Sequence, residues 1–252
     1  MAADRFFIVQ TRRRSALTIF LLIVAATAFG TAGGAMALPT IVIDPGHGGR
    51  DVGITHADRA EKDINLALAR ALAARLQQQH RVILTRTGDY FLSAAERVAK
   101  ANRAGADLYV SLHTGQGGTG APWRVDLGYL SSSFASQLLA SSGPDGDGPL
   151  SASGTGRERF RPVFVPWETV HRRHAAASRK AARRACQYLE KEPGLACQVK
   201  EERLAILAGA TMPAVMIEVE PLFVPPDGTD EAAVRLAEAI ARMAAATGPV
   251  RP

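Results

Sequence analysis

The apolar residues that follow Pro39 occur at two spacings, and each spacing predicts a different kind of element. The short run TIVID and the later runs RVILTR and DLYVSL are typical of buried strands. Between the first two runs, Ile64, Leu68, Leu72 and Leu76 recur every four residues, which predicts a helix with one apolar face. This part of the chain therefore predicts strands that alternate with helices.

Further elements continue the alternation. Ser93 and Glu96 form an S-x-x-E capping box, which predicts a helix that runs to about Arg103. VDLGYLS predicts a fourth strand, and PAVMIEVE predicts a strand late in the chain. The segment from Pro166 to about Lys191 predicts a basic helix, and DEAAVRLAEAIARMAAA predicts a final amphipathic helix. We therefore expect an α/β fold: a single domain with a mostly parallel twisted sheet and helices on both faces.

The first 37 residues carry an export pattern. Arg12, Arg13 and Arg14 precede the apolar run ALTIFLLIVAATAFGTAGGAMA, which ends in a small-x-small tripeptide. We expect a signal peptide over residues 1–37 that is cleaved there. An uncleaved signal anchor is the alternative, and it is the only membrane attachment that the sequence predicts. Residues 38–252 would then form an exported domain in the periplasm or cell envelope.

Composition limits the remaining classes of protein. The 252 residues are 47% hydrophobic and 21% charged, which is enough for one α/β core. The net charge is +6, but residues 1–37 contribute four arginines and one aspartate, so that residues 38–252 carry only +3. A nucleic-acid binder would combine a basic stripe with stacking aromatic residues, which make up only 6% here. We expect no nucleic-acid partner.

Two features of the sequence leave alternatives open. In an oxidising compartment Cys186 and Cys197 either form a local disulfide or stay as two partly buried thiols. Residues 131–161 are rich in serine and glycine and form an insertion in the predicted domain. That insertion is either a regulatory lid over the functional site or an ordinary surface excursion.

Four chemically capable residues lie at the ends of the predicted elements. His47 follows the first strand in the glycine-rich stretch PGHGG, His113 ends the third strand, and Glu218 lies within the late strand. Glu61 opens the first helix, whose start is expected to pack over the same edge of the sheet. Because functional groups collect at the carboxyl ends of parallel strands, we expect these four side chains to converge.

Two imidazoles and a carboxylate form a typical catalytic zinc set, with the fourth position left to water. A further carboxylate can then move the proton of that water, and Glu218 suits this role. Three of the residues also have a purely structural explanation. His47 could belong to a glycine-rich turn, Glu61 could interact with the helix dipole, and His113 could end a strand with its hydrogen bonds satisfied. Glu218 has no such explanation, because a carboxylate inside AVMIEV needs either water or a partner. Spacing alone does not decide, since no compact H-E-x-x-H pattern is present.

The stretches IVIDPGHGGRDVG, EKDINLALARALAARL, RVILTRTGDYFLSAAERVAKANRAGADLYVSLH and PAVMIEVE carry a resemblance. In this order they are similar to the zinc-dependent N-acetylmuramoyl-L-alanine amidases of bacterial cell-wall turnover, the Amidase_3 family. The resemblance covers most of residues 38–252. It implies that His47, Glu61 and His113 bind Zn²⁺ and that Glu218 is the catalytic carboxylate.

The resemblance also implies a reaction and a partner. The expected reaction is hydrolysis of the amide between N-acetylmuramic acid and L-alanine in peptidoglycan, in cell-wall remodelling or daughter-cell separation. Both the glycan and the stem peptide of peptidoglycan are then expected partners. The sequence leaves open whether a protein activator is needed.

Two segments depart from the family pattern. Thr114 and Gly115 follow His113 where the family has alanine and asparagine, and VEPL follows Glu218 where the family usually continues with glycine and phenylalanine. These changes touch the expected substrate loops and leave the four core residues intact.

Other side chains have two explanations each. Glu220 is either a second catalytic acid or a solvated strand-end carboxylate. His171 and His174 share a helical face and either bind a metal or belong to a solvated basic face with the arginines between them. Trp123 and Trp167 either line a glycan groove or pack inside the domain.

Two other functions compete with amidase activity. A noncatalytic peptidoglycan-binding or regulatory protein on the same scaffold is one, and the presence of all four core residues argues against it. A zinc peptidase that cuts within the stem peptide is the other. Their products differ, since an amidase releases intact peptides that begin with L-alanine.

Overall fold

The computed structural model describes residues 38–56, 59–115, 123–130, 167–220 and 229–248. These residues form a six-stranded sheet, a two-stranded ribbon and the helices that cover the sheet. The strands are β1 Thr40–Pro45, β2 Thr55–His56, β3 Arg59–Ala60, β4 Arg81–Leu84, β5 Leu108–Thr114, β6 Trp123–Leu130, β7 Leu195–Glu202 and β8 Ala214–Val219. The α-helices are α1 Glu61–Leu76, α2 Ala94–Arg103, α3 Ala175–Leu189 and α4 Thr229–Thr247, with 3₁₀ helices at Trp167–His174 and Ala205–Leu207.

The strand order of the large sheet is β4-β1-β5-β8-β6-β7. Four neighbouring pairs are parallel and one, β6 with β8, is antiparallel. The expected mostly parallel sheet is thus confirmed, and the antiparallel junction makes it a mixed sheet. The strand β7 was not predicted, because LACQVKEE is an edge strand in which polar and apolar residues do not alternate regularly.

Helices cover both faces of the sheet, as expected. On one face α1, α3 and α4 pack on the apolar side chains of the strands, and on the other α2 packs beside the short helix Ala205–Leu207. The four-residue stripe of α1 faces the core, since Ile64, Leu68, Leu72 and Leu76 are all buried. The predicted apolar face of this helix is therefore confirmed.

The predicted start of α2 is also confirmed. The Ser93 hydroxyl accepts a hydrogen bond from the Glu96 amide at 3.3 Å, and the Glu96 carboxylate accepts one from the Ser93 amide at 2.8 Å. The predicted basic helix after Pro166 is present as two elements, the 3₁₀ helix Trp167–His174 followed by α3.

A disulfide joins α3 to β7. Cys186 and Cys197 are bonded, with their Cα atoms 5.5 Å apart. Of the two alternatives for these cysteines, the structure contains the disulfide.

The predicted signal at residues 1–37 and the insertion at 131–161 lie outside the described residues. Within the described residues, none of the helices combines the length and apolar character needed to cross a membrane.

Candidate active site

Three of the four predicted residues meet at the carboxyl-terminal edge of the parallel strands. His47 lies in the loop after β1, His113 lies in β5, and Glu61 is the first residue of α1. One ligand atom from each residue lies within 4.8 Å of the others. This is the convergence that the strand and helix pattern predicts.

Glu61 joins the two histidines. Its Oε2 lies 3.1 Å from His47 Nε2, and its Oε1 lies 3.1 Å from His113 Nδ1. The carboxylate also accepts hydrogen bonds from the backbone amides of Ile54 and Thr114, and its side chain is buried. Burial alone would raise the pKa of Glu61, but the hydrogen bonds with His113 and His47 outweigh it and lower the pKa well below its ordinary value.

His47 is held by its backbone and by a second carboxylate. It is the only described non-glycine residue with a positive φ, 60°, a left-handed conformation that few non-glycine residues adopt. His47 Nδ1 lies 2.8 Å from Asp51 Oδ1, which leaves Nε2 directed at Glu61. The hydrogen bond with Glu61 raises the pKa of His47, burial lowers it, and Asp51 adds a further raising effect. This role of Asp51 was not predicted, although a carboxylate four residues after the loop histidine is visible in the sequence.

The donor set fits a metal ion. One ligand atom from each of His47, Glu61 and His113 lies within 4.8 Å of the other two, which is close enough for a single ion to bind all three residues. Ligating histidines usually donate their other ring nitrogen to a carboxylate, and the contact between His47 and Asp51 has this form. Two imidazoles and a carboxylate suit Zn²⁺ among the divalent ions.

Glu218 stands beside this cluster on the next strand. It is the register partner of His113 across the parallel pair β5 and β8, and of Asp126 across the antiparallel pair β8 and β6. Burial raises the pKa of Glu218 and the Asp126 carboxylate raises it further, whereas His113 and Lys200 lower it. A carboxylate with a raised pKa beside a candidate metal site is suited to accept and return a proton.

Two glycines make room for these side chains. A Cβ atom on Gly46 would lie 2.5–2.8 Å from three atoms of the His113 ring, and a Cβ on Gly115 would overlap the Glu218 carboxylate. Neither glycine has a positive φ, so glycine is not needed at these positions for backbone conformation. It is needed because a larger residue would collide with the neighbouring side chain. Gly115, one of the departures from the family pattern, therefore has a steric reason in this chain.

These two glycines allow a matched prediction. Gly115→Ala is expected to displace the Glu218 carboxylate and to lower turnover by at least about tenfold while the metal content stays unchanged. Gly46→Ala adds the same methyl group against His113 and is expected to lower the metal content as well. Metal analysis and hydrolysis assays on both variants check this, and full activity in Gly115→Ala would contradict the placement of Glu218.

A buried ion pair under the His47 loop was not predicted. Arg97 donates to Asp44 Oδ1 at 2.8 Å and to the backbone oxygens of Pro45 and His47 at 2.7 Å each. Asp44 is completely buried and also accepts hydrogen bonds from the hydroxyls of Thr85, Tyr109 and Ser111. Arg86 also donates to the backbone oxygens of Pro45 and Gly46. Arginine and aspartate here set the position of the candidate ligand His47.

Arg97→Met is expected to destabilise the fold strongly. The substitution leaves the Asp44 carboxylate buried without its cationic partner, which costs about 3–5 kcal/mol of the free energy of unfolding. Denaturant unfolding checks this value. Arg103→Met, at the end of the same helix α2, is the control, and an equal loss in both variants would argue against a special role of the buried pair.

The remaining candidates do not join the cluster. The described residues contain a single group of side chains placed to hold a metal, and it includes neither His171 nor His174. His171 is buried while Arg172 and Arg173 are exposed, so only the arginines form the expected basic surface. Glu220 follows β8 and is half-buried, and its role stays a prediction. The side chains of Trp123 and Trp167 lie outside the described part of the chain.

Fold and site together define a class: an α/β domain with a candidate mononuclear metal centre at the edge of its sheet. The Amidase_3 family model, described as N-acetylmuramoyl-L-alanine amidase, matches residues 41–246. The chain belongs to this family, as the sequence resemblance implied.

Individual relatives agree with this assignment. The chain is 41% identical over 81 residues to the sporulation-specific N-acetylmuramoyl-L-alanine amidase of Bacillus subtilis (strain 168), a match that covers 31% of this chain and 32% of that protein. It is 30% identical over 189 residues to the N-acetylmuramoyl-L-alanine amidase AmiC of Neisseria meningitidis serogroup B, a match that covers 71% of this chain and 44% of that protein. The chain thus spans less than half the length of these curated relatives.

A solved structure shares the fold. The catalytic domain of CwlV, an N-acetylmuramoyl-L-alanine amidase from Bacillus (Paenibacillus) polymyxa var. colistinus, superposes with a TM-score of 0.51 at 22% sequence identity. The superposition covers 82% of this chain and 96% of that domain. The domain described above therefore has the same fold as that domain.

Proposed function

We propose that the protein hydrolyses the amide bond between N-acetylmuramic acid and L-alanine in peptidoglycan, in cell-wall remodelling or daughter-cell separation. The observation that carries this proposal is the cluster of His47, Glu61 and His113 beside Glu218 in a chain of the Amidase_3 family. The family resemblance implies a role for each of these four residues, and their proximity supports it.

In this proposal His47, Glu61 and His113 hold a zinc ion. Zinc supplies Lewis acidity there, which polarises a carbonyl group and acidifies water. Glu61 contributes the negative charge of the ligand set, and Asp51 orients the His47 ring. Arg97 and Arg86 keep the His47 loop in place through its backbone oxygens.

Glu218 is the proton carrier in this proposal. Its carboxylate accepts the proton of the attacking water and returns it to the nitrogen of L-alanine as the amide bond breaks. Burial and Asp126 raise the pKa of Glu218, which improves its ability to hold that proton between the two steps. The products are the lactyl carboxylate of the glycan and a stem peptide with a free amino terminus.

We infer that the protein acts outside the cytoplasm, in the periplasm or cell envelope. The disulfide between Cys186 and Cys197, which is typical of oxidising compartments, supports this location. The export pattern in residues 1–37 supports it as well, and a retained anchor would be the protein's membrane attachment. A protein activator is a further proposed partner.

The test is release of stem peptides from purified peptidoglycan by the purified protein, with zinc content measured on the same sample. Chelator-sensitive release of peptides that begin with L-alanine, with glycan chains left uncut, supports the amidase. Peptides cut internally would indicate a zinc peptidase. Stoichiometric zinc without release would point to a missing activator or a covering segment, and absence of both zinc and release would favour the noncatalytic binding protein.

A further inference from the structure

Exposed apolar side chains concentrate next to the candidate metal centre. Among the described residues, the large hydrophobic side chains that stay exposed are Leu38, Val52, Tyr90, Phe91 and Val234. Three of them, Val52 (45% exposed), Tyr90 (42%) and Phe91 (40%), lie in the two loops that follow β1 and β4. We call Tyr90 and Phe91 the aromatic platform. Exposed apolar groups gathered at one place are typical of a binding surface.

Close packing of the two loops builds the platform beside His47. The Gly49 amide donates to Asp89 Oδ1 at 2.7 Å, and Lys62 Nζ donates both to the Gly49 oxygen at 3.1 Å and to Asp89 Oδ2 at 2.7 Å. A Cβ atom on Gly49 would lie 2.7 Å from the Phe91 nitrogen, so only glycine permits this approach. The platform is therefore attached to the same loop that carries the candidate ligand His47.

The rings of the platform are held in place although they face solvent. The Tyr90 hydroxyl accepts a hydrogen bond from the Thr87 amide at 3.2 Å, and the Arg50 guanidinium stands 4.5 Å from the centre of the Phe91 ring. A surface that is already ordered loses little conformational entropy when a ligand covers it.

The opposite flank of the site has a different chemistry. In the strand order, β4 and β1 lie on one side of His113 and Glu218, and β6 and β7 lie on the other. On β6 and β7, Lys200 Nζ contacts Asp126 Oδ2 at 2.6 Å and Arg124 Nε contacts Asp126 Oδ1 at 3.2 Å, so this side presents charged groups. The centre therefore lies between an apolar aromatic flank and a charged flank.

We propose that the aromatic platform binds the glycan of peptidoglycan, so that the stem peptide extends over β6 and β7. The proposal rests on the proposed function, because that function places a sugar on one side of the scissile amide and a peptide on the other. One face of a pyranose ring presents C–H bonds, which pack favourably against the electron-rich face of an aromatic ring. The stem peptide carries free carboxylates, and these suit the charged flank.

Direct binding of peptide-free glycan strands to the full chain tests the platform without turnover. The wild-type protein is expected to bind the strands, and Tyr90→Ala and Phe91→Ala are each expected to weaken binding by about tenfold. Tyr90→Phe keeps the ring and is expected to bind like the wild type. Val234→Ala, which removes an equally exposed apolar side chain on α4, is the control and is expected to have no effect.

A pair of substrates gives the second readout. Tyr90→Ala is expected to lower kcat/KM for a disaccharide peptide by about tenfold, and to leave kcat/KM unchanged for a lactyl peptide without the sugar. Equal losses on both substrates would mean that the change disturbs the His47 loop, and this would overturn the proposal. Glycan binding that is absent in the wild type, or unchanged in both alanine variants, would overturn it too. Glycan binding without any hydrolysis would retain the platform and reject the proposed catalysis.

Discussion

Glu218→Gln is expected to lower the rate of stem-peptide release by about 10²–10⁴-fold, because the amide cannot accept the proton of the attacking water. The substitution keeps the size of the side chain and changes none of the three candidate ligands. Bound zinc is therefore expected to stay stoichiometric. Rates of peptide release and zinc content, measured on the same preparation, separate loss of the proton carrier from loss of the metal.

Glu220→Gln is the matched control for this result. Glu220 is also a half-buried carboxylate at this end of the sheet and lies two residues after Glu218. Its backbone N–H donates a hydrogen bond to the Arg124 backbone oxygen at 3.1 Å. If it is a solvated strand-end residue, its replacement should change the rate less than about twofold. A large loss in Glu220→Gln would assign it as the second acid. Near-normal activity in Glu218→Gln would remove Glu218 from the mechanism.

Glu61→Gln is expected to abolish zinc binding and, with it, hydrolysis. Glu61 is the only carboxylate of the candidate ligand set and lies between His47 and His113. Removing its charge is expected to weaken zinc affinity by at least about 100-fold, more than the 10–100-fold typical of residues that only orient ligands. Metal analysis after dialysis measures this loss directly.

Thermal stability gives a readout that does not depend on activity. A ligand that binds only the folded state adds about 2.7 kcal/mol to the free energy of unfolding at a free concentration about 100 times its Kd. Added zinc is therefore expected to raise the Tm of the metal-depleted wild type and to leave that of Glu61→Gln unchanged. Glu96→Gln, another glutamate in the first turn of a helix, should behave like the wild type. An equal zinc-dependent rise in Glu61→Gln would exclude Glu61 as a ligand.

The two flanks of the site link these predictions to substrate orientation. If the platform of Tyr90 and Phe91 binds the glycan, the scissile amide lies across His113 and Glu218 with its peptide side over Asp126. Asp126 then has two roles, because its charge also raises the pKa of Glu218. The departure at Gly115 is consistent with this arrangement, since it makes room for the Glu218 carboxylate.

Local pattern was enough to predict most of the fold. The apolar face of α1 and the capping box of α2 each depend on residues only three or four positions apart, so both can be recognised in the sequence. The strand β7 was missed because it is an edge strand whose polar and apolar residues do not alternate. Its place in the sheet is defined by its pairing with β6, which the sequence does not reveal. The antiparallel junction between β6 and β8 was missed for a related reason, since strand direction in a sheet depends on the path of the whole chain.

The sequence by itself determined the order of most elements, the family, and which histidines and glutamates are candidates for the site. The tertiary structure alone decided which groups support them: Asp51 on His47, Asp126 beside Glu218, and the buried pair of Asp44 and Arg97. Asp44 and Arg97 are 53 residues apart and Asp126 pairs with Lys200 across 74 residues. Contacts between groups so far apart in the chain are set by strand register and helix packing, and no periodicity in the sequence records them.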